Sequence, residues 1–205
     1  MAAFASGAPS QSRTKLETSG EFELNLLTQD VTAPVADVMP TGPALSPSMT
    51  VVNSLEEMSA AVNRIAAGAQ RLISIYTPDL EPDLYDQTEF LDIAKRFVLS
   101  RNFAKIRVLL RDNTRLLRGG NRFVAMGRRL TSYIDIRFLL DKTPQRAEAY
   151  MIADDRALTL RTSVETWEGL VDFNNPPIAR AHLAEFDAAW VANEPEPMYR
   201  RQASR

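Results

Sequence analysis

The chain has 205 residues, 45% hydrophobic and 24% charged, with a formal net charge of −2; this is the balance of one globular domain plus a tail, and it excludes a fibrous chain or two full domains. Near-neutral charge leaves no field able to gather nucleic acid or anionic lipid over the whole surface, so any such binding needs a local patch. With no cysteine and His182 as the single histidine, disulfides, thiolate nucleophiles, iron–sulfur clusters and a multi-histidine metal centre within one chain are excluded, and the expectation is a cytoplasmic protein with no cofactor and no metal.

The first 50 residues place Pro34, Pro40, Pro43 and Pro47 among Ser, Thr, Gly and Ala, a composition that cannot bury enough surface to offset the entropy of ordering it. A disordered tail is expected over residues 1–50. Its start, Met1 to Gly7, lacks the basic and apolar regions of a secretory signal. Within it Glu21 to Leu27 is acidic and apolar, and is either a transiently structured tail or a docking segment for a partner.

Folded structure is expected over 51–194, opening at Ser54, which with Glu57 makes a capping box. Leu55, Met58, Val62 and Ile65 recur on one helical face up to Gly68. Arg71 to Thr77 reads as a buried strand closed by Pro78 and Pro82; the apolar residues from Ile65 to Ile75 are broken by Gln70 and Arg71, far short of the ~20 needed to span a membrane. A helix over about Thr88–Leu99 should turn Phe90, Leu91, Ala94, Phe97 and Val98 inward. Lys105 to Arg111 is a strand, Asn121 caps a third helix bearing Phe123, Val124, Met126 and Leu130, and Ile134 to Leu140 is another strand. Two more, about Glu148–Ala153 and Ala157–Arg161, join through Asp154, Asp155 and Arg156 as a hairpin. A last helix should begin after Pro176 and Pro177 and end before Pro195 and Pro197, leaving 195–205 as a second tail. Helices between early strands imply parallel neighbours, and the hairpin adds an antiparallel part. The expected fold class is α/β, with a mixed, mostly parallel sheet flanked by helices on both faces.

This order of elements from Ser54 to Trp190, with a strand leading through Asp154-Asp155-Arg156 into a hairpin and then Phe173-Asn174-Asn175-Pro176 before a helix carrying Phe186 and Trp190, resembles one half of the phospholipase D superfamily. That superfamily's hairpin carries His-x-Lys, four residues, then Asp, with Gly-Ser-x-Asn further on. Setting the aspartate on Asp154 puts Ala147 at the histidine and Ala149 at the lysine, and Arg161-Thr162 in place of Gly-Ser. Ile75 to Asp86 also looks like the opening of an uncharacterised proteobacterial domain family, which in some proteins lies behind an acetyltransferase domain. The resemblance implies a bacterial protein with a degenerate active site, because alanine can neither attack phosphorus nor donate a proton. It also makes a homodimer plausible, since phospholipase D halves often pair about a two-fold axis.

Charge is most concentrated from Arg101 to Arg129, where nine cations stand against Asp112 alone. Arg111, Arg115, Arg118 and Arg122 follow a strand's carboxyl end, and Gly119-Gly120 precedes a helix start; guanidinium forks and backbone N–H groups there suit phosphate oxygens. The other reading pairs these arginines with the acidic run Asp79, Glu81, Asp83, Asp86, Glu89 and Asp92, which should share that edge. His182 is either a boundary residue of the last helix or a base oriented by Asp154 or Asp172. Asp154 and Asp155 read as turn residues, and Trp167, Phe173 and Trp190 as core packing. The functional expectation is a non-catalytic binding or regulatory module for a phosphate-bearing ligand or RNA. The alternatives are an interaction partner of a separate enzyme such as an acetyltransferase, and a diverged hydrolase.

Overall fold

The computed structural model describes residues 49–112, 120–139 and 147–193. Most of the expected N-terminal tail, with Glu21 to Leu27, and the expected C-terminal tail lie outside these residues, as do Arg115, Arg118 and Gly119.

Folded structure starts earlier than Ser54: Thr50–Val52 form a short strand, β1. Ser54 then caps α1 (Leu55–Gly68), its hydroxyl accepting from the Glu57 N–H at 3.1 Å. The Glu57 carboxylate reaches back one residue further than a regular capping box, accepting from the Asn53 N–H at 2.8 Å. β2 (Leu72–Thr77), a short helix α2 (Pro82–Tyr85), α3 (Thr88–Ser100) and β3 (Lys105–Leu110) follow. Next come α4 (Arg122–Arg129), β4 (Ile134–Phe138), the β5–β6 hairpin (Ala149–Ala153, Ala157–Arg161), β7 (Gly169–Asp172) and α5 (Pro176–Ala192).

The seven strands make one mixed sheet in the order β1-β7-β6-β5-β2-β3-β4. The α/β class and the helices on both faces are as expected, but the balance of pairing is not. Only β2–β3 and β3–β4 are parallel; the other four pairs are antiparallel. Helices separate β2, β3 and β4, whereas β5, β6 and β7 follow one another without a helix, and β1 and β7 add two antiparallel pairs on that side.

Side chains alternate between faces along each strand. Ile73, Ile75, Ile106, Val108, Ile134, Ile136 and Met151 point to one side and pack under α1, α3 and α4 with Met58, Val62, Phe90, Phe97 and Phe123. Tyr76, Leu109, Tyr150, Ile152 and Leu158 point to the other, where α5 covers them with Ala179, Phe186 and Trp190. Trp190 is thus core, as anticipated, and it stacks on Phe186 at 5.6 Å between ring centres. No described helix is long and apolar enough to cross a membrane.

Candidate functional site

The sheet register fixes which residues meet at the carboxyl end of the parallel strands. Thr77 ends β2 and pairs with Leu110, which ends β3. Because β5 runs antiparallel to β2, with Tyr76 opposite Tyr150, the start of β5 lies at this same end. The last residue of β6, Arg161, is the register partner of Ala149, the first of β5. Thr77, Ala149 and Arg161 therefore share one end of the sheet and, by alternation, the face under α1.

A buried polar cluster fills that end. The Arg161 side chain is 3% exposed and forms an ion pair with Glu81, itself 9% exposed. The Thr77 hydroxyl donates to the other Glu81 oxygen at 2.9 Å, and a second Arg161 nitrogen donates to the Val164 carbonyl at 2.9 Å. The guanidinium also lies 4.4 Å from the centre of the Trp167 ring, a cation–π contact. Arg161 Nε is buried with no hydrogen-bond partner. Burial and the adjacent Glu81 carboxylate together push the Tyr85 phenol far above its ordinary range. Glu81 is delivered by a strained turn, since Leu80, fully buried, adopts φ 61, a left-handed conformation costly for a branched aliphatic side chain.

The sequence-derived candidates are distributed around this cluster. Arg111 follows β3, its N–H donating to the Thr77 and Pro78 carbonyls at 3.3 and 3.2 Å. Arg122 makes the pairing that the second reading anticipated: its Nε lies 2.9 Å from Asp86 Oδ1, and it donates to Thr88 Oγ1 at 3.1 Å and to the Asp86 carbonyl. Its backbone N–H, one of the free donors at the start of α4, also goes to Asp86, at 3.1 Å. Asn121 takes the Val124 N–H. Gly120 has φ 99, a turn conformation that favours glycine. Two of the N–H groups expected to hold an anion at this helix start thus already have acceptors within the protein.

The described cations of the basic stretch do not form one patch. Lys105 begins β3 and Arg111 follows its end, and a six-residue strand spans about 20 Å. Arg107 lies between them on the α5 face, 2.7 Å from Asp187 and beside Phe186.

Asp154 sits at the opposite end of the sheet from Arg161, in the β5–β6 turn, with φ 57. Its carboxylate accepts backbone N–H bonds from Gln70 (3.0 Å), Arg71 (2.7 Å) and Leu72 (3.1 Å) and clamps the start of β2. Asp172 accepts from the Asn174 N–H and the Asn175 amide, both at 3.0 Å, at the start of α5. His182 lies on the α5 face, 5.3 Å from the Tyr150 ring centre, with Nδ1 3.8 Å from Glu185. The sheet separates it from the Arg161 cluster.

In the sequence Glu81 is one acid of a run and Arg161 a departure from a motif, and neither position by itself marks this cluster. The signal that would have joined them is the small side chain of Ala149 opposite a large charged one at the end of an otherwise apolar hairpin.

Residues 54–202 match the model of a domain of unknown function, DUF7931. No curated protein matches the chain. Among solved structures, it is similar to Nuc, a phospholipase D family member from Salmonella typhimurium (TM-score 0.53, 17% identity, covering 73% of this chain and 97% of that one). It is also similar to NucT from Helicobacter pylori (TM-score 0.51, 11% identity, 72% and 98%). A third similar structure is TrmBL2, an archaeal chromatin protein described with a novel mode of DNA binding (TM-score 0.52, 14% identity). That match covers 75% of this chain, which spans 56% of TrmBL2.

Proposed function

Because the chain belongs to the DUF7931 domain family and has a phospholipase D-like fold, we propose that it is a non-catalytic binding module, a scaffold that has lost phosphodiester chemistry and holds a phosphate-bearing ligand or RNA. The observation that carries this reading is the buried Arg161–Glu81 pair opposite Ala149. Aligning Asp154 with the motif aspartate puts alanine at both the nucleophile and lysine positions, and the guanidinium beside Ala149 is already bound to a carboxylate, a carbonyl and a ring. Groups so engaged cannot also stabilise a developing negative charge on phosphorus. His182 belongs to the other face of the sheet, which supports the same conclusion.

The binding edge in this proposal is the carboxyl end of β3, where Arg111 emerges and the chain continues through Arg115 and Arg118 to Arg122. Arg122, anchored to Asp86, fixes the far end of the segment rather than contacting ligand. The DNA-binding mode described for TrmBL2 is consistent with a nucleic-acid ligand on a related fold. Fluorescence anisotropy with a labelled single-stranded RNA and with polyphosphate, titrated with salt, tests the proposal. Affinity should fall linearly in a log–log plot, and Arg111→Ala should weaken it severalfold. Absence of binding to either probe at low salt would end this reading.

A further inference from the structure

A different surface stands out at the amino end of the parallel strands, opposite the Arg161 cluster. Among the described residues four large hydrophobic side chains are conspicuously exposed, and two of them are Leu99 (56%), in the last turn of α3, and Phe103 (58%), within the turn between α3 and β3. This turn is tight, with the Ala104 N–H donating to the Arg101 carbonyl at 3.1 Å. Residues 95–105 carry Lys95, Arg96, Arg101 and Lys105 and no acid. Lys95 and Leu99 are one helical turn apart on the same face of α3, and with Arg96, Ser100 and a single acid, Asp92, they line one shallow depression. Arg101 and Arg96 line the next. Among the described residues none of the four cations forms an ion pair; Arg101 donates to the Gln70 side chain at 2.7 Å and Lys105 to the Ser132 carbonyl.

We propose that this α3–β3 turn is a peripheral docking surface for an anionic lipid bilayer, with Leu99 and Phe103 entering the interface and the four cations meeting lipid phosphates and carboxylates. Apolar tips beside four cations that outnumber the neighbouring Asp92 match the two forces that hold proteins on such surfaces, burial of apolar area and attraction to anionic headgroups. A single-stranded nucleic acid fits less well. It calls for successive exposed aromatic platforms, whereas Phe103 is the one exposed ring here and Leu99 cannot stack. The surface is separate from the ligand edge proposed above, so the two readings stand or fall independently.

Flotation of the full chain with phosphatidylcholine vesicles, with and without phosphatidylserine, tests the proposal. Wild-type protein should float with the phosphatidylserine-containing vesicles only, and less so as salt rises. The Leu99→Ser/Phe103→Ser variant, altered at exposed positions and checked for wild-type circular dichroism, should lose at least fivefold of the floated fraction. Arg111→Ala should float like wild type while binding RNA more weakly. Absence of flotation, or equal flotation of wild type and double variant, would overturn the assignment; so would a double variant that loses RNA binding while wild type shows no flotation.

Discussion

Arg161 and Ala149 are register partners across the β5–β6 hairpin, so the buried guanidinium of the carboxyl-end cluster stands opposite one of the smallest buried residues of the sheet. The arrangement places a buried guanidinium beside Ala149 at the end of the hairpin, and Glu81 neutralises it.

Breaking this pair from one side leaves a buried charge uncompensated. Arg161→Met and Glu81→Gln should each cost about 3–5 kcal/mol. The double variant should cost clearly less than their sum, because both charges leave together. Urea denaturation of the four proteins measures the coupling; additive losses would show that the two side chains act independently.

Reinstating the family's motif should not reinstate its chemistry. Ala149 is buried, so Ala149→Lys adds both volume and a second cation beside Arg161. The Ala147→His/Ala149→Lys variant should lose at least about 3 kcal/mol and show no phosphodiester turnover. Thermal unfolding and a diester assay check the two parts.

Asp154 is an anchor of β2 through three backbone N–H bonds. Asp154→Ala should destabilise by roughly 2–4 kcal/mol, combining lost charge-assisted bonds with an alanine forced into φ 57. Asp154→Asn, which keeps an oxygen acceptor and tolerates this conformation, should lose less. Equal losses in the two variants would point away from the N–H clamp.

The hydrogen bond from Arg180 Nε to Asp155 at 2.8 Å is the main cause holding that carboxyl below its ordinary range. The sign is that of a depressed acid: the contribution is present above the ordinary carboxylate range and disappears as pH falls through the folded-state value. Both side chains are well exposed, so the effect on overall stability should be slight. A carboxyl-detected NMR titration should find Asp155 titrating below a typical aspartate, and Arg180→Met should move it back up.

Much of this architecture was legible because local signals agreed with the fold. The Ser54–Glu57 cap, the apolar faces of α1 and α3, the Asn121 cap and the Asp154–Arg156 turn each rest on residues within one or two turns of one another. β7 was not legible. It is four residues long and opens on Gly169, which reads as a breaker; in the structure a Cβ there would stand 2.7 Å from the Leu160 carbonyl oxygen, so glycine permits the close strand approach. β1 is shorter still and exists through its pairing with β7. The polar cluster was missed because Glu81 and Arg161 are 80 positions apart. The apparent unity of the arginine-rich stretch is an effect of chain order, since β3 carries Lys105 and Arg111 to opposite ends of the sheet.

Hydrolysis of bis(p-nitrophenyl) phosphate by purified wild type and His182→Ala tests most directly the proposal that this scaffold carries no phosphodiester chemistry. The account predicts that both remain at the buffer rate across neutral pH. Turnover by wild type that is lost in His182→Ala would contradict it.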